Sequence, residues 1–214
     1  VVGSTLTVTA DENYNIGSTN TVTFTGGIAG TSFNGTLDGN SSVAMEGNIV
    51  IAGNLTMNGN IGSTNTTGNF TLNAGNTLVL SDNVTTFNTA NMSLTGNTVL
   101  NLGNATSGYN RSSGNALTMN ANITMASNST INIGNGTTIT GDVVGASSGQ
   151  GTVNIIGNFT SGGSFGAVQG NAGADSILSS LEQINISKGN TFTLNHNATA
   201  TRMDINGTVT ASGN

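Results

Sequence analysis

The sequence contains no cysteine, no proline and no tryptophan, and charged residues make up only 6 % of its 214 residues. Soluble domains usually carry about 25 % charged residues. The absence of cysteine excludes disulfides and thiolate metal sites, and it is compatible with an extracellular fold that does not depend on redox state. His196 is the only histidine, so a histidine-rich metal site is excluded as well.

Positive charge is equally scarce, since Lys and Arg together number 3 and the formal net charge is −6. A nucleic-acid-binding protein needs a basic stripe that neutralises phosphates, and Arg111, Lys188 and Arg202 cannot form one by themselves. The sequence also lacks a run of about 18 apolar residues, so it predicts no transmembrane segment. We therefore expect no nucleic-acid partner and no helix that spans a membrane.

What the sequence does contain is a repeated pair of apolar residues at positions i and i+2. The clearest pairs are Phe70 and Leu72, Leu78 and Leu80, Met92 and Leu94, and Leu100 and Leu102. Such pairs are typical of a strand with one buried face, and the two-pair pattern recurs about every 22 residues. Repetition at this period indicates a solenoid in which each coil buries its apolar face against its neighbours.

The predicted fold is therefore all-β, a right-handed parallel β-helix with roughly 22 residues per coil that extends over residues 1–214 as a single segment. Antiparallel hairpins at the Asn-Gly pairs are the structural alternative, but they do not explain the period. Residues 141–152 and 161–174 are rich in Gly, Ser and Ala, and we expect loop excursions there. Residues 175–184 place apolar side chains at i, i+1, i+4 and i+7, which predicts one short helix with Asp175 as its N-cap.

A search for chemistry finds no candidate catalytic residue, metal ligand or cofactor site. Hydrolases and lyases on β-helices need clustered carboxylates or a base beside a metal. The nine acids are dispersed along the sequence. Asp11 and Glu12 are adjacent, but consecutive residues of a strand point to opposite faces. We interpret the protein as not an enzyme, with no cofactor.

The sequence is rich in the acceptor pattern Asn-x-Ser/Thr. Candidate N-glycosylation sites are Asn34, Asn54, Asn69, Asn83, Asn104, Asn122, Asn158, Asn185 and Asn206. Alternating Asn and Thr on one strand face explains these patterns as well as glycosylation does. In a host that glycosylates asparagine, the rod would be densely decorated.

Repeats such as Gly53-Asn54-Leu55-Thr56-Met57 and Gly68-Asn69-Phe70-Thr71-Leu72 resemble the passenger domains of bacterial type V secreted proteins, the autotransporter and filamentous-haemagglutinin-like adhesins. The resemblance covers most of the chain in style and period. It implies a right-handed β-helix displayed at the bacterial cell surface, with a structural, adhesive or self-associating role. It supplies no catalytic residues, and it implies partners that are other copies of the chain or glycans of a host or neighbouring cell.

Three functions follow from these patterns. The first is an extracellular structural or adhesive solenoid that assembles end to end into a filament, sheath or coat, with Leu6 and Val8 at one assembly end and Val209 and Ala211 at the other. We expect the segment to belong to a longer protein or polymer. The second is an ice-binding solenoid, because Thr-x-Thr triplets occur near both ends of the sequence. The third is a polysaccharide-binding β-helix.

We predict that the protein has no hydrolase or lyase activity, because its acids are dispersed and it has a single histidine. Incubation with plant, bacterial and animal polysaccharides, followed by an assay for new reducing ends or unsaturated products, should give the background signal. Cleavage that disappears when a single Asp or Glu is replaced would contradict this prediction.

Overall fold

The computed structural model describes residues 14–16, 20–25, 32–40, 45–112, 114–166 and 180–211. Within these ranges the chain forms twenty β-strands and one short 3₁₀ turn at Ala105–Ser107. The strands pair in parallel, each with strands of the coils before and after it. The protein is a parallel β-helix, as the period predicted, and its right-handed sense stays a prediction.

Each coil passes through three faces in turn, and the strands of one face stack along the axis. Face 1 contains β2 (Thr21–Phe24), β5 (Glu46–Ile51), β7 (Thr67–Leu72), β14 (Val143–Gly145) and the C-terminal halves of β9 (Thr86–Leu94) and β11 (Leu117–Met125). Face 2 is an eight-stranded sheet of β3 (Ser32–Phe33), β6 (Leu55–Met57), β8 (Thr77–Leu80), β10 (Val99–Leu102), β12 (Thr130–Ile133), β15 (Thr152–Ile155), β17 (Leu181–Ile186) and β19 (Ala200–Ile205).

Face 3 contains β1 (Tyr14–Ile16), β4 (Leu37–Gly39), the N-terminal halves of β9 and β11, β13 (Thr137–Ile139), β16 (Phe159–Ser161), β18 (Thr191–Leu194) and β20 (Thr208–Ala211). Ile61 continues this face through single bridges to Leu37 and Phe87. The strands β9 and β11 turn from face 3 to face 1, and their mutual register shifts between Asn120 and Asn122 at that corner.

The core is a set of columns in which each apolar side chain lies on the equivalent residue of the next coil. Ile49 pairs with Phe70, Phe70 pairs with Met92, and Met92 pairs with Ile123. The eight residues predicted to be interior are at most 1 % exposed, which confirms the assignment; they are Phe70, Leu72, Leu78, Leu80, Met92, Leu94, Leu100 and Leu102. A central column of this kind is what lets a chain with few charges exclude water from its interior.

Glycine allows the tightest corners. Gly47 has a φ of +78°, and a Cβ at this position would lie 2.4 Å from Cγ2 of Ile16 in the preceding coil. Only glycine combines the left-handed backbone with so close an approach. Gly75, Gly96 and Gly189, each of which also precedes an asparagine, have positive φ as well.

Coil length varies, but the asparagines of face 2 remain paired from coil to coil. Hydrogen-bonded asparagines on successive coils are separated by 22 residues between Asn132 and Asn154, but by 31 residues between Asn101 and Asn132 and between Asn154 and Asn185. The extra residues of the first long coil form a loop between β10 and β11, and those of the second lie between β16 and β17. The strands on either side of both insertions therefore pair in the same register on face 2.

Parts of the two predicted loop excursions pair with neighbouring coils. Residues 143–145 of the 141–152 segment form β14, which pairs with β11. In the 161–174 segment, Ser161 ends β16 and Phe165 bridges Val143, while 167–174 lie outside the described residues.

The predicted helix at 175–184 is wrong over its described part, because Leu181–Ile186 is strand β17; Asp175 and the rest of 175–179 lie outside the described residues. The N–H groups of Glu182 and Gln183 both donate to the carbonyl of Gly151, at 3.0 and 3.4 Å. This bulge-like arrangement lets Leu181 and Ile184 both face the interior although they are three residues apart. The two apolar residues are therefore spaced as in a helix, although they belong to a strand.

Across the described ranges, no helix has the length and apolar character of a membrane span.

We predict that Leu78→Ala lowers the free energy of unfolding by about 2–5 kcal/mol, because Leu78 is 0 % exposed and stacked between Leu55 and Leu100. The exposed Thr124→Ala is the control, with an expected change within about 0.5 kcal/mol. Urea unfolding followed by circular dichroism measures both. Equal losses in the two variants would contradict the assignment of the core.

Candidate functional site

The surface of the rod is organised in columns of identical polar side chains. On face 2, Asn101, Asn132, Asn154 and Asn185 occupy equivalent positions on four successive coils. Each side-chain amide donates to the amide oxygen of the preceding asparagine, and all three distances are 2.8 Å. This ladder holds adjacent coils together without charge, as stacked asparagines do in cross-β assemblies.

A second asparagine ladder lies on face 1. Asn69 donates to Asn48 over 3.1 Å, and Asn91 donates to Asn69 over 3.3 Å. This ladder is more exposed than the ladder on face 2, where Asn101 and Asn132 are each only 8 % exposed. We therefore expect the face 2 ladder to contribute more to stability, since its amides have little access to water.

Face 3 carries a column of threonines. Strand pairing places Thr86, Thr118, Thr138, Thr160, Thr193 and Thr210 at equivalent positions on six successive coils. Four of the six are exposed and the other two, Thr86 and Thr193, are half-exposed. We call these six residues the Thr column.

The Thr column differs from the asparagine ladders in its hydrogen bonding. Among the described residues, none of its six hydroxyl groups donates to or accepts from another protein group, whereas the amides of both ladders bond to one another. The hydroxyl groups of the Thr column therefore remain available to solvent or to a ligand.

The sequence analysis noted Thr-x-Thr triplets near both ends of the sequence, and this pattern did not predict the Thr column. Strand pairing nevertheless places the threonines in one column. Thr86 and Thr118 lie on either side of the loop between β10 and β11, so their separation in sequence is longer than the repeat. A search for single threonines followed by an inward apolar residue, such as Thr118-Met119 and Thr138-Ile139, is the signal that would have found it.

Three carboxylates of the described residues are each bound by their own neighbouring groups and lie apart from one another in the coils. Asp38 accepts from the backbone N–H of Thr64 at 2.9 Å, Asp142 accepts from that of Ser164 at 2.8 Å, and Asp204 accepts from Gln183 at 2.7 Å and from Arg202 at 2.8 Å. No group of three or more His, Cys, Asp or Glu side chains that could hold a metal ion occurs in the described part of the chain. The exposed His196 lies near the C-terminal end.

One cation is buried, which the sequence did not indicate. Arg111 is 7 % exposed, and its guanidinium donates to the carbonyls of Leu80, Ser81 and Val84 in the preceding coil and to that of Asn115. Burial lowers the pKa of Arg111, and the nearby carboxylate of Asp82 opposes the shift. Arg111 therefore fastens the loop between β10 and β11 to the coil beneath it.

The candidate glycosylation sites do not form one cluster: Asn69 and Asn122 lie on face 1, Asn185 lies on face 2, and the other six lie at corners or in loops between strands. Eight of the nine are exposed, namely Asn34, Asn54, Asn69, Asn83, Asn104, Asn122, Asn158 and Asn206. Asn185 is half-buried, and its amide nitrogen donates to Asn154 in the face 2 ladder. A glycan on that nitrogen would compete with the ladder bond. Asn104 caps the 3₁₀ turn, where its side-chain oxygen accepts from the N–H of Thr106.

The two predicted assembly ends differ in what the structure describes. Leu6 and Val8 lie outside the described residues. At the other end, Val209 is half-buried and Ala211 is exposed, and both belong to β20, the last strand of its sheet.

These features define the class of the protein as a parallel β-helix with an apolar interior and polar side-chain columns on its faces. Comparison with protein-family models, with curated proteins and with solved structures finds no match.

We predict that Asn132→Ala lowers the free energy of unfolding by about 1–3 kcal/mol, because it leaves the amide of Asn154 and the oxygen of Asn101 without their partners. The exposed Asn91→Ala is the matched control from the other ladder, with an expected loss below about 0.5 kcal/mol. Chemical unfolding of the two variants measures the difference. Equal effects would show that ladder bonds contribute nothing beyond those of an exposed amide.

Proposed function

We propose that this protein is an extracellular structural and adhesive rod of a bacterial surface, and that its copies assemble end to end into a filament, sheath or coat. The observation that carries this proposal is the exposed apolar edge of the last described coil. Ile155, Ile186 and Ile205 occupy one interior column of face 2. Ile155 and Ile186 are 0 % and 1 % exposed, but Ile205 is 52 % exposed.

The backbone at this end is uncovered in the same way. Strands β19 and β20 are the last strands of their sheets, so no described strand pairs with their outer edges. An open edge with few charges is a template for another strand. One further coil in register would cover Ile205 and Val209 and would pair both edges.

We propose that a second copy of the chain supplies that coil. The first described strands, β1, β2 and β3, stand at the opposite ends of their sheets, and no described strand pairs with their outer sides. Joining the two different ends is a heterologous contact, which repeats without closing and produces an open fibre. The contact extends the columns of each face from one copy to the next.

The extracellular surface location is part of this proposal. A rod with few charges and no cysteine keeps its cohesion through ladders and an apolar core, neither of which depends on redox state. Exposed asparagine and threonine side chains on faces 1 and 3, such as Asn91 and Thr118, can hydrogen-bond to sugar hydroxyls. We therefore propose host or neighbouring cell-surface glycans as adhesive partners. The exposed candidate glycosylation sites fit a surface protein that is itself decorated.

We predict that the mass of the protein rises with concentration, because end-to-end contact covers Ile205 and pairs the free edges. Sedimentation equilibrium across a wide concentration range measures the mass, and electron microscopy should show rods of uniform width. Ile205→Asp places a charge in the contact and should leave the protein monomeric.

The control for this experiment is Thr124→Asp, which adds the same charge to the exposed surface of face 1, away from either end. It should assemble like the unmodified protein. A protein that stays monomeric at the highest concentration would refute end-to-end assembly. Assembly that both substitutions block equally would show lateral contact instead.

A further inference from the structure

We propose that face 3 is an ice-binding surface and that the Thr column is its recognition element. The proposal is independent of end-to-end assembly, because it concerns a side of the rod and not its ends. It rests on the spacing of the Thr column, on the hydroxyl and methyl groups of its threonines, and on the other residues of face 3.

The spacing of the column is fixed by the backbone. Thr118 pairs with both Thr86 and Thr138, and Thr160 pairs with both Thr138 and Thr193, so the column is continuous through the coils. Paired strands lie about 4.8 Å apart, and this distance repeats at every coil. A repeat of this size is close to the repeat of water molecules along one axis of the ice lattice. A rigid surface of matching repeat can hold an ordered layer of water.

Threonine presents two groups that an ice surface can use. Its hydroxyl group hydrogen-bonds to lattice water, and its methyl group fills the space between water molecules. Branching at Cβ restricts χ1, so the side chain is already ordered before it meets the ligand. The hydroxyl groups of the Thr column have no protein partner among the described residues, whereas the asparagine ladders satisfy their own amides.

Other polar residues widen the column on its outward face. Thr191 and Thr208 pair with each other two positions before Thr193 and Thr210. On the other side, Thr140 lies two positions after Thr138, and Asn120 lies two positions after Thr118. The hydroxyl group of Thr140 donates to the side-chain oxygen of Asn120. The coils of Thr118 and Thr138 therefore carry a second outward polar residue on one side of the column, and the coils of Thr193 and Thr210 carry one on the other side.

The composition of this face favours ice over a crystalline polysaccharide. The residues two positions before and after each member of the Thr column are uncharged. Polysaccharide surfaces are usually bound by exposed aromatic rings, which pack an apolar face on the sugar. The aromatic residues of the same strands point inward, since Phe87, Phe159 and Phe192 are at most 2 % exposed.

The test compares two threonines of the same strand. Thr118 lies in the Thr column on face 3, and Thr124 lies on face 1; both are exposed residues of β11. We expect the unmodified protein to lower the freezing point below the melting point and to enter a slowly growing ice crystal. Thr118→Tyr should lose both effects because the ring stands above the plane of the column. Thr124→Tyr should keep both.

Melting curves followed by circular dichroism show that each variant is folded, and Thr138→Tyr repeats the test at a second position of the column. The proposal is overturned if the unmodified protein is excluded from ice like serum albumin and leaves freezing unchanged. It is also overturned if Thr118→Tyr and Thr124→Tyr behave alike. Binding to crystalline cellulose or chitin that depends on Thr118, without any effect on ice, would overturn it in favour of a polysaccharide surface.

Discussion

The in-register pairing of each coil with the next is the constraint on which the rest of this structure depends. Backbone hydrogen bonds in a parallel ladder fix both the distance between coils and the residue that each residue faces. Once that pairing is set, an inward residue must pack on the equivalent inward residue, and an outward residue must stand above its outward equivalent. The apolar core, the asparagine ladders and the Thr column are consequences of the same rule.

The sequence predicts the fold well wherever the coils are short. From Ile49 to Leu102 the apolar pairs recur at nearly constant spacing, so the period and the interior residues can be found by counting, and the structure confirms them. Counting works there because no loop interrupts the coil. Alternation then assigns each residue to the interior or the surface without further information.

Three features could not be found in this way, each for a physical reason. The residues Leu181 and Ile184 have helical spacing because a bulge turns both inward within β17. The Thr column is hidden because loops lengthen some coils, so its members are aligned in space and unevenly spaced in sequence. The burial of Arg111 depends on backbone carbonyls that accept from its guanidinium. Every residue has such a carbonyl, so the amino-acid sequence does not indicate which ones accept.

The asparagine ladders have a mechanical consequence. Their side-chain hydrogen bonds join one coil to the next, as the backbone bonds between coils do, so both kinds of bond run along the axis of the rod. A pulling force on the two ends would load the bonds of the terminal coil first, and that coil would peel away before the next one is strained. Because each coil contacts only its neighbours, the remaining coils would keep their structure. Such a rod would lengthen under tension by releasing one coil at a time, and it would absorb a sudden load without rupturing as a whole.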